Sequence, residues 1–120
     1  MDKIARYRSI LQNVIESTAT LLSQGNQVAI LPACDTRNDQ YLMISLGWHK
    51  TGHREHAIVF HARLSEGKLL VEIDLTEEGV SPLLIEAGVD EFDIEYSWNR
   101  NRSSESRPSS SPEHLEAVAA

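Results

Sequence analysis

The stretch HAIVFHARLSEGKLLVEIDLTEEGV, residues 56–80, decides the fold predicted for this chain. Apolar and polar residues alternate on both sides of Glu66-Gly67, which is typical of two half-buried strands. Glu66-Gly67 itself predicts a two-residue hairpin turn, because a turn of that length keeps the alternations of both strands in step. The resulting core-side pairs are Leu64 with Leu69, Ala62 with Val71, and Phe60 with Ile73.

The polar side of this hairpin carries ionisable residues in a second set of pairs. The same register places His61 opposite Glu72, with Arg63 diagonal to Glu72. After the second strand, residues 76–79 predict a turn, and Pro82 suits the first position of a short helix that ends at Ala87. The hairpin therefore predicts a structural unit with a polar outer side.

The rest of the chain extends this unit into an α+β fold. Apolar residues recur every three or four positions over residues 2–24, which predicts an amphipathic helix capped by Asp2. Further strands are predicted at 27–34, 40–48 and 94–98, the first as an edge strand because of Pro32. We expect this N-terminal helix to pack on a four- to five-stranded, mainly antiparallel sheet. Residues 1–98 would form one domain, and residues 99–120 a disordered Ser/Arg/Pro-rich tail.

Composition limits the kinds of function that this chain can have. The net charge is −7, and residues 66–95 hold ten Asp and Glu residues against Lys68 alone. That stretch disfavours direct nucleic-acid binding, and it fits either a basic protein partner or a solvated acidic surface that keeps the protein soluble. The single cysteine, Cys34, excludes an intrachain disulfide, and no apolar run is long enough to cross a membrane. We therefore expect a soluble, cytoplasmic protein.

Neither a metal site nor a catalytic site is predicted from the residues. His49, His53, His56 and His61 lie close together in sequence, but the last two point to opposite faces of their strand, which disfavours one shared zinc ion. Glu66 and Lys68 match part of a metal-dependent nuclease core, yet they fall in and beside a hairpin turn. Hydrolase and nucleotide-binding signatures are missing. We expect no cofactor and no enzyme activity.

A contact surface is predicted on the second face of the sheet. Tyr41, Met43, Val59 and Leu70 would form an apolar strip there, bordered by acidic residues and His61. Self-association and a protein partner both fit such a strip, as does the C-terminal segment folding back over it. The candidate partner-binding residues are Tyr41, Met43, His61, Glu72, Asp74, Glu77 and Glu78.

Four segments in this order resemble a known family. They are MDKIARYRSIL, QYLMISLGW, VFHARLSEGKLLVEIDLTEEGV and LLIEAGVDEFDIEYSW. Their shared features are the Tyr-Arg of the first helix, the Gly-Trp that closes a strand, and the strand with His61 before a Gly-Lys hairpin. The Thr-Glu-Glu-Gly-Val turn and the Ala-Gly-Val before Asp93-Ile94 complete the series. Together they resemble the XisI family, the fdxN-element excision controlling factors of cyanobacteria.

The resemblance implies a non-enzymatic accessory protein. Such a protein would act with a XisH-like partner, itself resembling nuclease folds, when a site-specific recombinase excises a DNA element during heterocyst development. The family supplies no catalytic or cofactor residues. Beyond Trp98 the chain departs from the family pattern, since a Ser/Arg-rich stretch replaces the usual His/Pro segment and aromatic tail.

Two alternative functions stay open from the sequence. A DNA-binding accessory factor would use six basic residues: Lys3, Arg6, Arg8, Arg100, Arg102 and Arg107. A metal-dependent nuclease would use Glu66 and Glu72. Oligomeric state, the surface that meets the partner and the role of this copy in excision are not determined by the sequence.

Overall fold

A computed structural model describes residues 2–25 and 27–99 of the chain. Two helices and five strands follow one another, with 3₁₀ turns at Glu91–Asp93 and Ser97–Asn99. The elements are α1 (Lys3–Ser23), β1 (Val28–Asp35), β2 (Gln40–Trp48), β3 (Arg54–Ser65), β4 (Lys68–Asp74), α2 (Ser81–Ala87) and β5 (Ile94–Tyr96). The predicted α+β fold is confirmed, and the last strand is two residues shorter than predicted.

The first helix begins and ends as the sequence indicates. The Asp2 carboxylate accepts a hydrogen bond of 2.7 Å from the Ala5 backbone N–H, which satisfies one of the unpaired donors of the first turn. The apolar stripe of α1 places four residues in the core: Tyr7, Leu11, Ile15 and Ala19. One face of the helix is thereby fixed against the sheet.

The sheet has the strand order β1-β2-β3-β4-β5, the same as the order along the chain. The first four strands are antiparallel neighbours, and β5 pairs with β4 in parallel after the crossover through α2. Strand β1 is an edge strand, as predicted, and its Pro32 lies opposite Met43. A proline there costs no second ladder bond, because β1 has a neighbour on one side only.

The β3–β4 hairpin confirms the short turn. Glu66 and Gly67 have φ angles of 54° and 79°, so both central residues are left-handed, as a type I′ turn requires. Leu64 pairs with Leu69, and Ala62 with Val71, as predicted.

Beyond these pairs a bulge changes the register. Glu72 is the extra residue, so His61 lies opposite Ile73 and Phe60 opposite Asp74. The predicted pairs Phe60–Ile73 and His61–Glu72 are therefore wrong, because strict alternation assumed an uninterrupted ladder.

A second bulge lies between β2 and β3. Met43 pairs with Phe60 and Ile44 with Ile58, which leaves Val59 as the extra residue. Phe60 is buried, whereas Ile58 is 41% exposed and Val59 packs against the core. The predicted grouping of Ile58 with Phe60 on the core face is wrong, since the bulge reverses the alternation at this point.

The core lies between the sheet and the two helices. Its largest fully buried side chains come from α1, β2, β3, β4 and the α2 region, and they are mainly aliphatic, as the low aromatic content predicts. They are Tyr7, Tyr41, Phe60, Leu11, Ile15, Met43, Leu69, Leu84, Val71 and Val80.

The predicted tail lies outside the described residues, apart from Asn99 in the last 3₁₀ turn. Whether residues 1–98 form one independent domain stays a prediction. Of the helices in the described part of the chain, none has the length and apolarity needed to cross a membrane.

Candidate functional site

Two of the seven predicted contact residues are in the core. Tyr41 and Met43 are both fully buried on the side of the sheet that faces α1. The prediction that they lie on the contacted face is wrong: β2 is apolar on both faces, and its register with Phe60 and Ala62 of β3 determines which face is inside. These two side chains cannot meet a partner protein.

The hydroxyl of the buried Tyr41 has a hydrogen-bond partner within the fold. It donates a hydrogen bond of 2.9 Å to Asp39, whose carboxylate also accepts bonds of 2.8 and 3.0 Å from the Arg8 guanidinium. Burial and the bond to Asp39 raise the Tyr41 pKa, and the Arg8 bonds hold the Asp39 pKa below its usual value. A buried phenol needs such a partner. This cluster joins α1 to the β1–β2 turn.

Three side chains on β3 and β4 each have a partner: His61 and Arg63 of β3 and Glu72 of β4. His61 Nε2 lies 2.8 Å from the Gln40 side-chain oxygen, and Arg63 Nε donates a 2.8 Å bond to Glu72. The His61 pKa is lowered by burial and by Arg63, against the opposing effect of Glu72. The predicted proximity of Arg63 and Glu72 is confirmed, while the partner-binding role of His61 and Glu72 stays a prediction.

The Asp74 carboxylate organises the loop that follows β4. One oxygen accepts from the Thr76 backbone N–H at 3.0 Å, and the other accepts from the Val80 backbone N–H at 2.8 Å. The Thr76 hydroxyl donates to Asp74 and accepts from the Gly79 N–H at 3.1 Å. Asp74 thus satisfies backbone donors between β4 and α2. Asp74 therefore stabilises the loop through hydrogen bonds within the chain, and the tip of the loop is exposed to solvent.

The loop tip carries the two remaining candidates, Glu77 and Glu78, which are both exposed. They line an open cleft of about 440 Å³ together with Pro82, Tyr96 and Trp98. Among the ion pairs of the described residues, none engages Glu77 or Glu78. Two carboxylates without an ion-pair partner among the described residues therefore lie in the same cleft as the rings of Tyr96 and Trp98, which we call the aromatic wall.

That aromatic wall is held in place by neighbouring groups. The Tyr96 hydroxyl donates a 2.7 Å bond to the Ser81 hydroxyl, and the Tyr96 and Trp98 rings lie 5.1 Å apart. Trp98 is 52% exposed. Sequence reasoning placed Trp98 in a strand and missed its position in the cleft, because only the parallel pairing of β5 with β4 brings it beside the Asp74–Val80 loop.

The basic residues of α1 each contact another part of the chain. Lys3 pairs with Asp93 at 3.1 Å, the Arg6 guanidinium donates to the Gly88 carbonyl at 3.1 Å, and Arg8 binds Asp39. Each cation is used in joining α1 to another part of the chain. The other cations of the DNA-binding alternative, Arg100, Arg102 and Arg107, lie outside the described residues.

The arrangement does not assemble the nuclease core considered above. Glu66 is in the hairpin turn, while Lys68 donates to the Phe92 carbonyl and lies 3.8 Å from Asp93. Within residues 2–25 and 27–99, no group of three His, Cys, Asp or Glu side chains could hold a metal ion.

A second polar cluster was not found from the sequence. The buried Ser45 hydroxyl donates a 2.7 Å bond to Glu55, which also accepts a 3.0 Å bond from His49. These bonds keep the Glu55 pKa below its usual value, so this carboxylate is a weak base. The imidazole contacts Glu55 rather than Ser45, so the order of contacts differs from that of a serine nucleophile activated by histidine. The cluster is best explained as a link between the ends of β2 and β3.

Comparison with known proteins identifies one family. A family model described as "XisI protein" matches residues 1–107. The crystal structure of the fdxN element excision controlling factor XisI from Anabaena variabilis is 26% identical, with a TM-score of 0.67, over 82% of this chain and 88% of that one. None of the curated proteins matches the chain.

A second solved structure shows the same fold. It is a XisI-like protein, also from Anabaena variabilis, with 22% identity and a TM-score of 0.68, over 77% of this chain and 84% of that one. At this identity the similarity supports the fold alone.

Proposed function

Because the chain belongs to the XisI protein family, we propose that it is a non-enzymatic accessory protein that controls the excision of a DNA element by binding a partner protein. The partner would be XisH-like and would present a basic surface to the acidic part of this chain. The observation that carries the proposal is the cleft beside Glu77 and Glu78.

The cleft has the features of a protein-binding site. Glu77 and Glu78 have no ion-pair partner in the described part of the chain, and the Asp74 bonds hold their loop in one conformation. Trp98, which also lines the cleft, offers a large exposed apolar surface, and tryptophan is enriched among residues that dominate binding energy. An arginine or lysine of the partner could contact both the carboxylates and the aromatic face.

Direct DNA binding is not part of this proposal. Lys3, Arg6 and Arg8 each contact another group of the chain. The cleft itself is lined by three acidic residues, Asp74, Glu77 and Glu78. The chain would therefore reach DNA through its partner.

The first prediction concerns the charge of this cleft. The double variant Glu77→Lys/Glu78→Lys should weaken binding to the XisH-like partner by about tenfold or more, because it replaces attraction with repulsion. Titration calorimetry or a pull-down at low salt measures the effect. The matched control is Glu86→Lys/Glu91→Lys, which makes the same charge change at exposed positions that do not line the cleft.

Equal loss in both double variants would point to net charge rather than the cleft. Wild-type protein that forms no complex at low salt would contradict the partner proposal itself. A gel shift with the purified wild-type chain, showing salt-sensitive DNA binding, would favour the alternative of a DNA-binding accessory factor.

A further inference from the structure

The face of the sheet opposite α1, which we call the outer face, has an apolar centre on its first three strands, and charged or polar side chains border this centre. Its side chains on β1, β2 and β3 form four complete rows across the strands, and Trp48 of β2 with Arg54 of β3 forms a fifth row that has no β1 member. The four complete rows, each in the order β1, β2, β3, are Asp35, Gln40, Arg63; Ala33, Leu42, His61; Leu31, Ile44, Ile58; and Ala29, Leu46, His56.

None of these side chains is buried by the described residues. Leu31 and Ile58 are 44% and 41% exposed, and Leu42, Ile44 and Leu46 are half-buried by their neighbours in the sheet. Core packing within residues 2–25 and 27–99 takes place on the opposite face, where α1 lies. A contiguous apolar surface of this kind usually marks an interaction site.

The β1 and β3 residues of the four complete rows are arranged so that a second copy of the same face could cover them. In each row the β1 and β3 residues lie on either side of β2 and are complementary to each other. Asp35 is opposite in charge to Arg63, and Leu31 matches Ile58 in size. In the other two rows a small alanine on β1 corresponds to a larger histidine on β3. A two-fold rotation about an axis along β2 would exchange β1 with β3.

We propose that the outer face binds a second copy of this chain, sheet against sheet, about a two-fold axis parallel to β2. That operation places Asp35 of one copy over Arg63 of the other, small Ala33 over His61, and Leu31 over Ile58. A two-fold interface requires a self-complementary patch, and face-to-face sheets pack side chains between layers about 10 Å apart.

The Arg63 guanidinium can serve both an internal and an intermolecular carboxylate. Its Nε is bound to Glu72, which leaves the terminal nitrogens for Asp35 of the second copy. The Asp35 side chain accepts bonds from the Arg37 and Asn38 backbone N–H groups, which fixes its position at the end of β1. Both charges are therefore held in place before association.

Residues 100–120 fit this face less well. Apart from alanines, their aliphatic side chains are Leu115 and Val118, among many serines and charges. Strand addition at the β1 edge is also disfavoured, because Pro32 lies within that edge strand. A second copy of the outer face supplies both an apolar surface and the charges that pair with Asp35 and Arg63.

The test is the oligomeric state of the full-length chain. In sedimentation over about 1–100 μM, the range in which micromolar dimers dissociate, the average mass of wild-type protein should rise with concentration toward twice the 13.4 kDa of one chain. Ile44→Glu, at the centre of the face, should shift the protein to the chain mass, because a charge would be buried against its own symmetry mate. Leu21→Glu, an exposed position on α1, is the matched control and should leave the dimer intact.

Charge exchange tests the symmetry directly. Asp35→Arg and Arg63→Asp should each weaken the dimer, and the double exchange Asp35→Arg/Arg63→Asp should restore part of the affinity. Recovery is expected only if these residues meet across the axis, since a purely internal role would make the two losses add. Circular dichroism melts establish that each variant is folded.

Several outcomes would overturn the proposal. They are a monomeric wild type throughout the concentration range, a dimer that survives Ile44→Glu, or equal dissociation by Leu21→Glu. A monomer that dimerises only after deletion of residues 100–120 would assign the face to that segment. A monomer that loses its heterologous partner on Ile44→Glu would assign the face to that partner. This inference does not depend on the Glu77–Glu78 cleft, which its variants leave unchanged.

Discussion

At the scale of single residues, two tyrosines connect α1 to the rest of the fold. Tyr7 donates a 2.7 Å bond to Asp93 and accepts a 3.0 Å bond from the Asp90 backbone N–H. Tyr41 bonds Asp39, which Arg8 also binds. Tyr7 and Arg8 form the Tyr-Arg pair by which the sequence resembles its family. Their contacts stabilise the fold, which explains the pair without a role in binding or catalysis.

Tyr7→Phe removes both of these hydrogen bonds without changing the shape of the ring. We expect a loss of about 1–2 kcal/mol in the free energy of unfolding, because the Asp90 N–H and the Asp93 carboxylate lose a nearly fully buried partner. Urea unfolding followed by circular dichroism measures it. Tyr96→Phe, which loses one bond to Ser81, should cost less; an equal or larger cost there would contradict this ranking.

His61 gives the fold a pH dependence. Burial and Arg63 lower its pKa, so the unfolded chain takes up the proton more readily than the folded one. The free energy of unfolding should therefore be highest above the ordinary histidine pKa of about 6.5 and fall as the pH drops from there toward the lowered value.

Urea titrations at a series of pH values from 7.5 downward check this dependence. His61→Gln, which has no titrating ring, should show a shallower decline than wild type. His56→Gln, an exposed position on the same strand, is the matched control for the loss of an imidazole. A decline that His61→Gln leaves unchanged would assign the pH dependence to other groups.

At the scale of elements, the β3–β4 hairpin depends on a glutamate in an unusual conformation. Glu66 has φ 54°, a region that costs most side chains free energy and that asparagine tolerates. Asn-Gly is the preferred pair for this turn. The sequence uses a less favourable residue there, and the Gly67 that follows carries its φ of 79° without steric cost.

Glu66→Asn should therefore stabilise the protein. We expect a gain of about 0.5–1 kcal/mol in the free energy of unfolding, because asparagine adopts the left-handed backbone conformation at a lower free-energy cost than glutamate. Chemical denaturation measures the gain. Glu66→Gln removes the same charge without helping the backbone, so an equal gain in that variant would attribute the effect to relief of acidic repulsion instead.

The two β-bulges change which side chains of β3 and β4 face the core and which lie opposite one another. They make Val59 and Glu72 extra residues, which turns Ile58 outward and shifts His61 opposite Ile73. A period-two alternation in the sequence contains no signal for such insertions. The hairpin turn was predictable because a two-residue turn keeps the alternations of both strands in step.

At the scale of the whole molecule, contacts between the start and the end of the described chain close the fold. Lys3, Arg6 and Tyr7 all bind within residues 88–93. The sheet order follows the chain order, so these contacts join the first element to the far edge of the sheet. One core with such closure should unfold cooperatively.

The two tryptophans test this cooperativity. Trp48 lies at the end of β2 and Trp98 in the last 3₁₀ turn. In Trp98→Phe and Trp48→Phe variants, the fluorescence of the remaining tryptophan should change at the same urea concentration as the circular dichroism signal of that variant. Separate midpoints within either variant would contradict the prediction that residues 1–98 form one domain.

The sequence by itself determined the secondary structure, the fold class, the Glu66-Gly67 turn and the family, because these follow from local preferences and from the order of the segments. It did not determine which face of β2 is inside, since Leu42 and Ile44 are as apolar as Tyr41 and Met43. Tertiary structure decided that question through the pairing of β2 with Phe60 and Ala62 and the hydrogen bond that Asp39 offers to Tyr41. It also brought Trp98 beside Glu77 and Glu78, because contacts between distant segments depend on packing, which no local pattern records.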